Sequence, residues 1–292
     1  MKFDSYHPIM NFIYFVAAIG YSICFRQPVF LGISLLCGFL YSIKLGGVKQ
    51  LGLNVVFLAV GIFYTGWYAY YNHFGVTNLR MNFIGNQITL ESVVCGLMTG
   101  LTISAVLMWL SCVFMLITAD KIVYLFGRVS PKLSLLLSIL LRTVPRVGKR
   151  AQKIEIARAG IGRGKRQGGF IERTVHFVKQ LSILITWTLE NFVESAVSMK
   201  SRGYSLKGRT AFSIYRFDNR DRGLVIGFFW CMTLVMMAVL LDQTKMYFDP
   251  IIIINPITIL SYVFYGAYTV FLLLPMTLQV IGEYRFRRLT GK

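Results

Sequence analysis

Six apolar runs, several of them long enough to cross a bilayer, constrain this chain more than any other feature. They cover approximately Ile9–Phe25, Val29–Ile43, Leu51–Tyr71, Ser92–Ala119, Gly223–Leu241 and Ile251–Ile281. A helix that spans the hydrocarbon core takes roughly 20 mostly apolar residues. Inside lipid the backbone must bond to itself, and a helix does this within one segment. Charged residues make up only 15% of the chain, against about 25% in an ordinary soluble domain. The reading is an all-α polytopic membrane protein with about six transmembrane helices.

Between the fourth and fifth runs lies a stretch of opposite character. Residues 120–222 hold 21 of the 31 Lys and Arg residues but 7 of the 12 Asp and Glu. This divides the chain into membrane helices 1–4 (1–119), an inserted helical domain (120–222), and membrane helices 5–6 with a basic tail (223–292). The net charge of +19 invites a nucleic-acid reading. In a multispanning protein the same excess follows from the preference of Lys and Arg for cytoplasmic segments, so the bilayer is the expected partner and nucleic acid is not. With six spans and both termini inside, only Arg26, Arg80 and Lys245 of the 31 cations fall outside. The inserted domain and both termini are therefore expected to be cytoplasmic.

Local signals refine this layout. Asn72–Glu91 alternates apolar and polar residues around Gly85-Asn86, as a small β-hairpin does. Gly96, Gly100, Ser104 and Ala105 recur in the fourth run, where small side chains either admit a neighbouring helix or simply reflect membrane composition. Ser130-Pro131 is a helix start, with a capping hydroxyl before a first-turn proline. Leu133–Leu141 is apolar but too short to span, Pro145 is expected to break or kink the helix, and a basic helix then runs from Arg146 past Arg158. A second helix starts near Phe170 and runs to about Arg202, with Gly203 as the residue just past its end.

Few residues suggest chemistry. The cysteines all sit inside apolar runs, and His7, His73 and His176 lack ligand spacing, so no metal site is expected. The glycine-rich 160–169 segment has Gly164-Lys165 but Arg166 where a phosphate loop needs Ser or Thr. Glu190 and Glu194 share a helix face and are read as helix-face carboxylates, with Arg150 or Lys153 as possible partners. Lys149, Arg150, Lys165 and Arg166 are read as attracting anionic headgroups.

Two arginine segments stand out, IEIARAGIGRG at 154–164 and SMKSRGYS at 198–205. Arg163 lies between Gly162 and Gly164, and Arg202 between Ser201 and Gly203. Small neighbours let a partner close around a guanidinium, whose rigid fork suits carboxylates and carbonyls. Arg158, between Ala157 and Ala159, competes for the first position.

These segments, with ITADKIVYLFGRVSPKLSLLLSILLRTVPRV at 117–147, make the chain resemble the transmembrane T component of energy-coupling factor (ECF) transporters, the family that includes the cobalt-transport permease of that type. In that family two cytoplasmic coupling helices each carry Ala-Arg-Gly; here the steps read Ser201-Arg202-Gly203 and Gly162-Arg163-Gly164. The resemblance implies a non-catalytic scaffold without cofactor in a bacterial cell membrane. It implies two ABC ATPase partners docking on Arg163 and Arg202, and a small substrate-binding S component that takes a vitamin or metal ion inward. It also implies that the apolar faces near Leu133–Leu141 and Leu181–Leu189 grip the S component. The alternatives are a membrane-embedded enzyme using Glu190 or Glu194, and a permease subunit of a conventional ABC transporter.

Overall fold

The computed structural model describes residues 6–81, 87–164, 169–204, 206, 215, 217–248 and 251–290. The chain divides into two units. One joins residues up to Thr118 to those from Tyr215 onward, and the other comprises Ala119–Ile214.

The first unit is a helical bundle. It contains α1 (Pro8–Cys24), α2 (Pro28–Gly46), α3 (Val48–Tyr71), α4 (Leu90–Leu116), α8 (Asn219–Leu240) and α9 (Ile259–Thr290). Five of these, α2, α3, α4, α8 and α9, are long and apolar enough to cross a membrane, while α1 is apolar but shorter. The chain is thus helical and of membrane-protein character.

The helix starts follow from sequence chemistry. Pro8 and Pro28 stand in the first turns of α1 and α2, where a missing N–H costs nothing. Thr89 caps α4 by accepting from the Ser92 N–H. Asp218 and Asp221 exchange caps at the start of α8. Asp221 also accepts from the His7 N–H at 3.3 Å, which links the starts of α8 and α1.

The bundle core is aromatic and centred on Tyr14 of α1. Its fully buried ring lies 5.3 Å from Phe271, 5.7 Å from Phe228 and 6.0 Å from Trp109, so it meets α9, α8 and α4 together. Its hydroxyl donates to the Leu272 carbonyl at 2.9 Å, which satisfies the one polar atom such a ring buries. Nearby, Trp109 Nε1 donates to Ser34 Oγ, itself 2.6 Å from Ser22 Oγ.

α3 and α4 pack through small residues. Gly61, Gly96, Gly100, Ser104 and Ala105 are buried, and Ser104 Oγ donates across to the Phe57 carbonyl at 2.9 Å. The small residues of the fourth run therefore serve close helix approach.

The expected hairpin is present. β1 (Asn78–Met81) and β2 (Gln87–Thr89) pair antiparallel, and Gly85-Asn86 lies outside the described residues. A second ribbon, β3 (Met246–Tyr247) with β4 (Ile253–Ile254), was not expected. It removes the start of the sixth run from the helix, which begins at Ile259, beyond Pro256. Met246 and Phe248 pack with Cys95, Phe74 and Ile252. The Thr244 carbonyl accepts from the backbone N–H groups of Arg26 and Gln27. The connections after α1, α3 and α8 therefore gather at one end of the bundle.

The second unit holds α5 (Ala119–Val129), α6 (Pro131–Gly160) and α7 (Phe170–Ser201). Two expectations are corrected here. α6 starts at Pro131, but the Ser130 hydroxyl makes no capping bond, so the fixed φ of proline marks the start. α6 also continues through Pro145 instead of breaking. Pro145 is exposed, so the lost hydrogen bond falls on the open side of the helix, with 15 further residues to Gly160 carrying the turn pattern onward.

Candidate functional site

Both long helices of the inserted unit end in the same kind of turn. At the end of α6, Gly162 has φ +70°, its N–H reaches the Ala159 carbonyl at 3.1 Å, and the Arg163 N–H reaches the Arg158 carbonyl at 2.9 Å. At the end of α7, Gly203 has φ +75°, its N–H reaches the Lys200 carbonyl at 3.0 Å, and the Tyr204 N–H reaches the Met199 carbonyl at 3.1 Å. Each is a Schellman turn with glycine in the left-handed position, where a Cβ is penalised.

The turns align the glycines but not the arginines. Relative to the left-handed glycine, Arg202 precedes Gly203 while Arg163 follows Gly162. The counterpart of Arg202 is Ile161, and that of Arg163 is Tyr204. Similar tripeptides are thus placed at different points of one turn geometry. Sequence spacing could not reveal this, because both Gly162 and Gly164 were available to end α6. Arg158, on the last turn of α6, donates from Nε to the Arg163 carbonyl at 3.4 Å, so its side chain closes over the turn.

Arg163 and Arg202 are both exposed, and Arg158 is half-buried. Gly164 is buried. The Ser201 hydroxyl donates to the Ser198 carbonyl at 2.9 Å, leaving a small, self-satisfied neighbour beside Arg202. Lys165, Arg166 and Gly168 lie outside the described residues.

Gly203→Ala is expected to cost about 1–2 kcal/mol, the penalty for a side chain in the left-handed region. Its Cβ would also meet Leu206 Cδ1 at 2.9 Å. Thermal unfolding of the purified chain should show a midpoint lower by about 2–4 °C or more. Gly160→Ala, in open space at a helical position, should leave it level or raise it.

A second feature escaped the sequence reading. α6 and α7 enclose a groove of about 450 Å³. Arg142, Arg146 and Arg150 of α6 line it together with Arg202 of α7, and Glu194 is the one carboxylate among the lining residues. The signal was the four-residue spacing of the three α6 arginines, which puts them on one face. Arg150 is held in place: it donates to Asn191 Oδ1 at 2.8 Å and its guanidinium lies 4.8 Å from the centre of the Trp187 ring. Its expected pairing with Glu190 or Glu194 is not made; an amide and an aromatic face are better placed on the facing turn of α7. Gln180, buried, ties the same two helices by donating to the Ala151 carbonyl at 2.9 Å.

Glu190 and Glu194 are both exposed. Among the described residues no group of three His, Cys, Asp or Glu side chains is placed to hold a metal ion. Comparison with protein-family models and with curated proteins finds no match for this chain.

Proposed function

We propose that this chain is the membrane scaffold of an ECF-type ABC importer, converting the closure of two partner ATPases into movement of a small substrate-binding S component. The observation that carries this reading is the pair of glycine-locked turns. Two long helices of one inserted unit each end in an exposed guanidinium beside a backbone fixed in one conformation. A force-transmitting contact needs such rigidity, since a frayed helix end absorbs displacement. The exposed side chains Leu133, Leu136 and Leu140 of α6 and Leu181, Ile185 and Leu189 of α7 supply apolar faces for the S component, as large exposed apolar patches commonly serve protein contacts. In this reading the chain performs no catalytic step, and its inserted unit faces the cytoplasm, where the nucleotide is.

The test is recovery of the tagged chain from its native membrane in mild detergent after brief crosslinking. Two nucleotidase chains, or two copies of one, and a small polytopic protein should accompany it. Recovery of the chain alone, with lipid- or peptide-modifying activity that depends on Glu190 or Glu194, would reject the scaffold reading in favour of a membrane enzyme.

A further inference from the structure

The groove between α6 and α7 concentrates like charge. Four guanidiniums line it against one carboxylate. Among the described residues the side chains of Arg142, Arg146 and Arg202 make no hydrogen bond or ion pair, while Arg150 is fixed by Asn191 and Trp187. Like charges sharing one recess repel unless an anion joins them. A planar guanidinium binds phosphate oxygens in bidentate fashion.

The remaining walls decide which anion fits. Ile139, Val147, Phe192 and Met199 line the same groove. Guanidiniums and apolar side chains sharing one recess suit an amphiphile, whose headgroup meets the cations while its acyl chains meet the apolar residues. A free phosphate gains nothing from the apolar walls. A phospholipid uses both surfaces.

We propose that this groove binds the phosphate group of an anionic phospholipid, with Arg142, Arg146 and Arg150 gripping the phosphate and the apolar walls receiving the start of the acyl chains. The groove shares Arg202 with the docking contact proposed above, but the lipid grip does not use it. Arg142 and Arg146 are not docking residues there, so either idea can fail alone.

The experiment uses the full chain purified in a neutral detergent and measures binding by native mass spectrometry and by thermal shift. The probes are dioctanoyl phosphatidylglycerol, dioctanoyl phosphatidylcholine, inorganic phosphate and a soluble glutamate-rich peptide. Phosphatidylglycerol should bind at least tenfold more tightly than phosphatidylcholine or phosphate. R142Q/R146Q should lose at least tenfold in that affinity. K153Q/K179Q, which removes the same charge at two exposed positions outside the groove, one on α6 and one on α7, should lose less than threefold. Helicity by circular dichroism, unchanged in both variants, keeps the comparison valid; if R142Q/R146Q is misfolded, R146Q alone takes its place with a threefold or greater loss expected. Equal loss in both double variants would reduce the effect to net charge and overturn the site. Phosphate binding as tight as lipid would overturn the lipid assignment. Tighter binding of the peptide would make the groove a protein-docking surface instead.

Discussion

On the scaffold reading proposed above, Arg202→Glu is expected to abolish capture of the two nucleotidases, and with it uptake by the complex. Removing one member of a buried, hydrogen-bonded charge pair costs about 2–5 kcal/mol, so the affinity should fall at least thirtyfold. Reversing the charge adds repulsion to the loss. Arg163→Glu should act in the same direction but less, because the two arginines stand at different points of their turns. Arg202 is the residue immediately before the left-handed Gly203, whereas Arg163 follows Gly162 and its carbonyl is held by Arg158. The measurement is binding of the purified nucleotidases to the chain in nanodiscs, alongside uptake in cells and a check of membrane insertion. Wild-type capture by the R163E/R202E double variant would sink the docking assignment. An unchanged affinity for R202E with a large loss for R163E would exchange the roles of the two turns.

The second large effect is expected in the bundle. Gly61 and Gly100 face each other across α3 and α4. A Cβ at Gly61 would come within 2.6 Å of the Gly100 carbonyl oxygen, and one at Gly100 would meet Thr65 Oγ1 at 2.6 Å and, closer still, the Gly61 carbonyl oxygen. Backbone atoms cannot rotate away as side-chain tips do, so the helices themselves must separate. That would also break the bond from Ser104 to the Phe57 carbonyl. Overpacking typically costs 1–3 kcal/mol and occasionally more. Gly100→Leu should stand at or above about 3 kcal/mol, lowering the unfolding midpoint in detergent by about 6–12 °C. Gly66→Leu is the control: nothing lies within 4 Å of a Cβ there, and the midpoint should barely move. If the two substitutions behave alike, α3 and α4 do not pack through this glycine contact.

The apolar runs and their breaks were legible because they rest on length and punctuation. Pro8, Pro28 and Gly203 each fall at a helix boundary for reasons internal to the local backbone. The hairpin at 78–89 was legible for the same reason, through strict alternation. Three things were not. Pro145 reads as a breaker, but a helix of 30 residues tolerates one lost bond on its exposed side. The β3–β4 ribbon rests on Met246 and Phe248 packing against Cys95 and Phe74, residues about 150 to 170 positions earlier in the chain, and no local pattern records such contacts. The arginine groove was hidden because it joins α6 to α7: residues 142, 146 and 150 announce a face, but only packing shows that Arg202 and Trp187 stand opposite. The two Arg-Gly steps misled in a related way, since a tripeptide does not say which glycine adopts the left-handed conformation.

That offset between the turns bears on any pair of motors they engage. A twofold-symmetric dimer offers the same socket twice, yet one turn presents arginine ahead of its glycine and the other presents isoleucine there. Two identical sockets could not be filled identically, so a homodimeric engine would hold this chain lopsidedly. An engine built from two different subunits could shape one socket to each end.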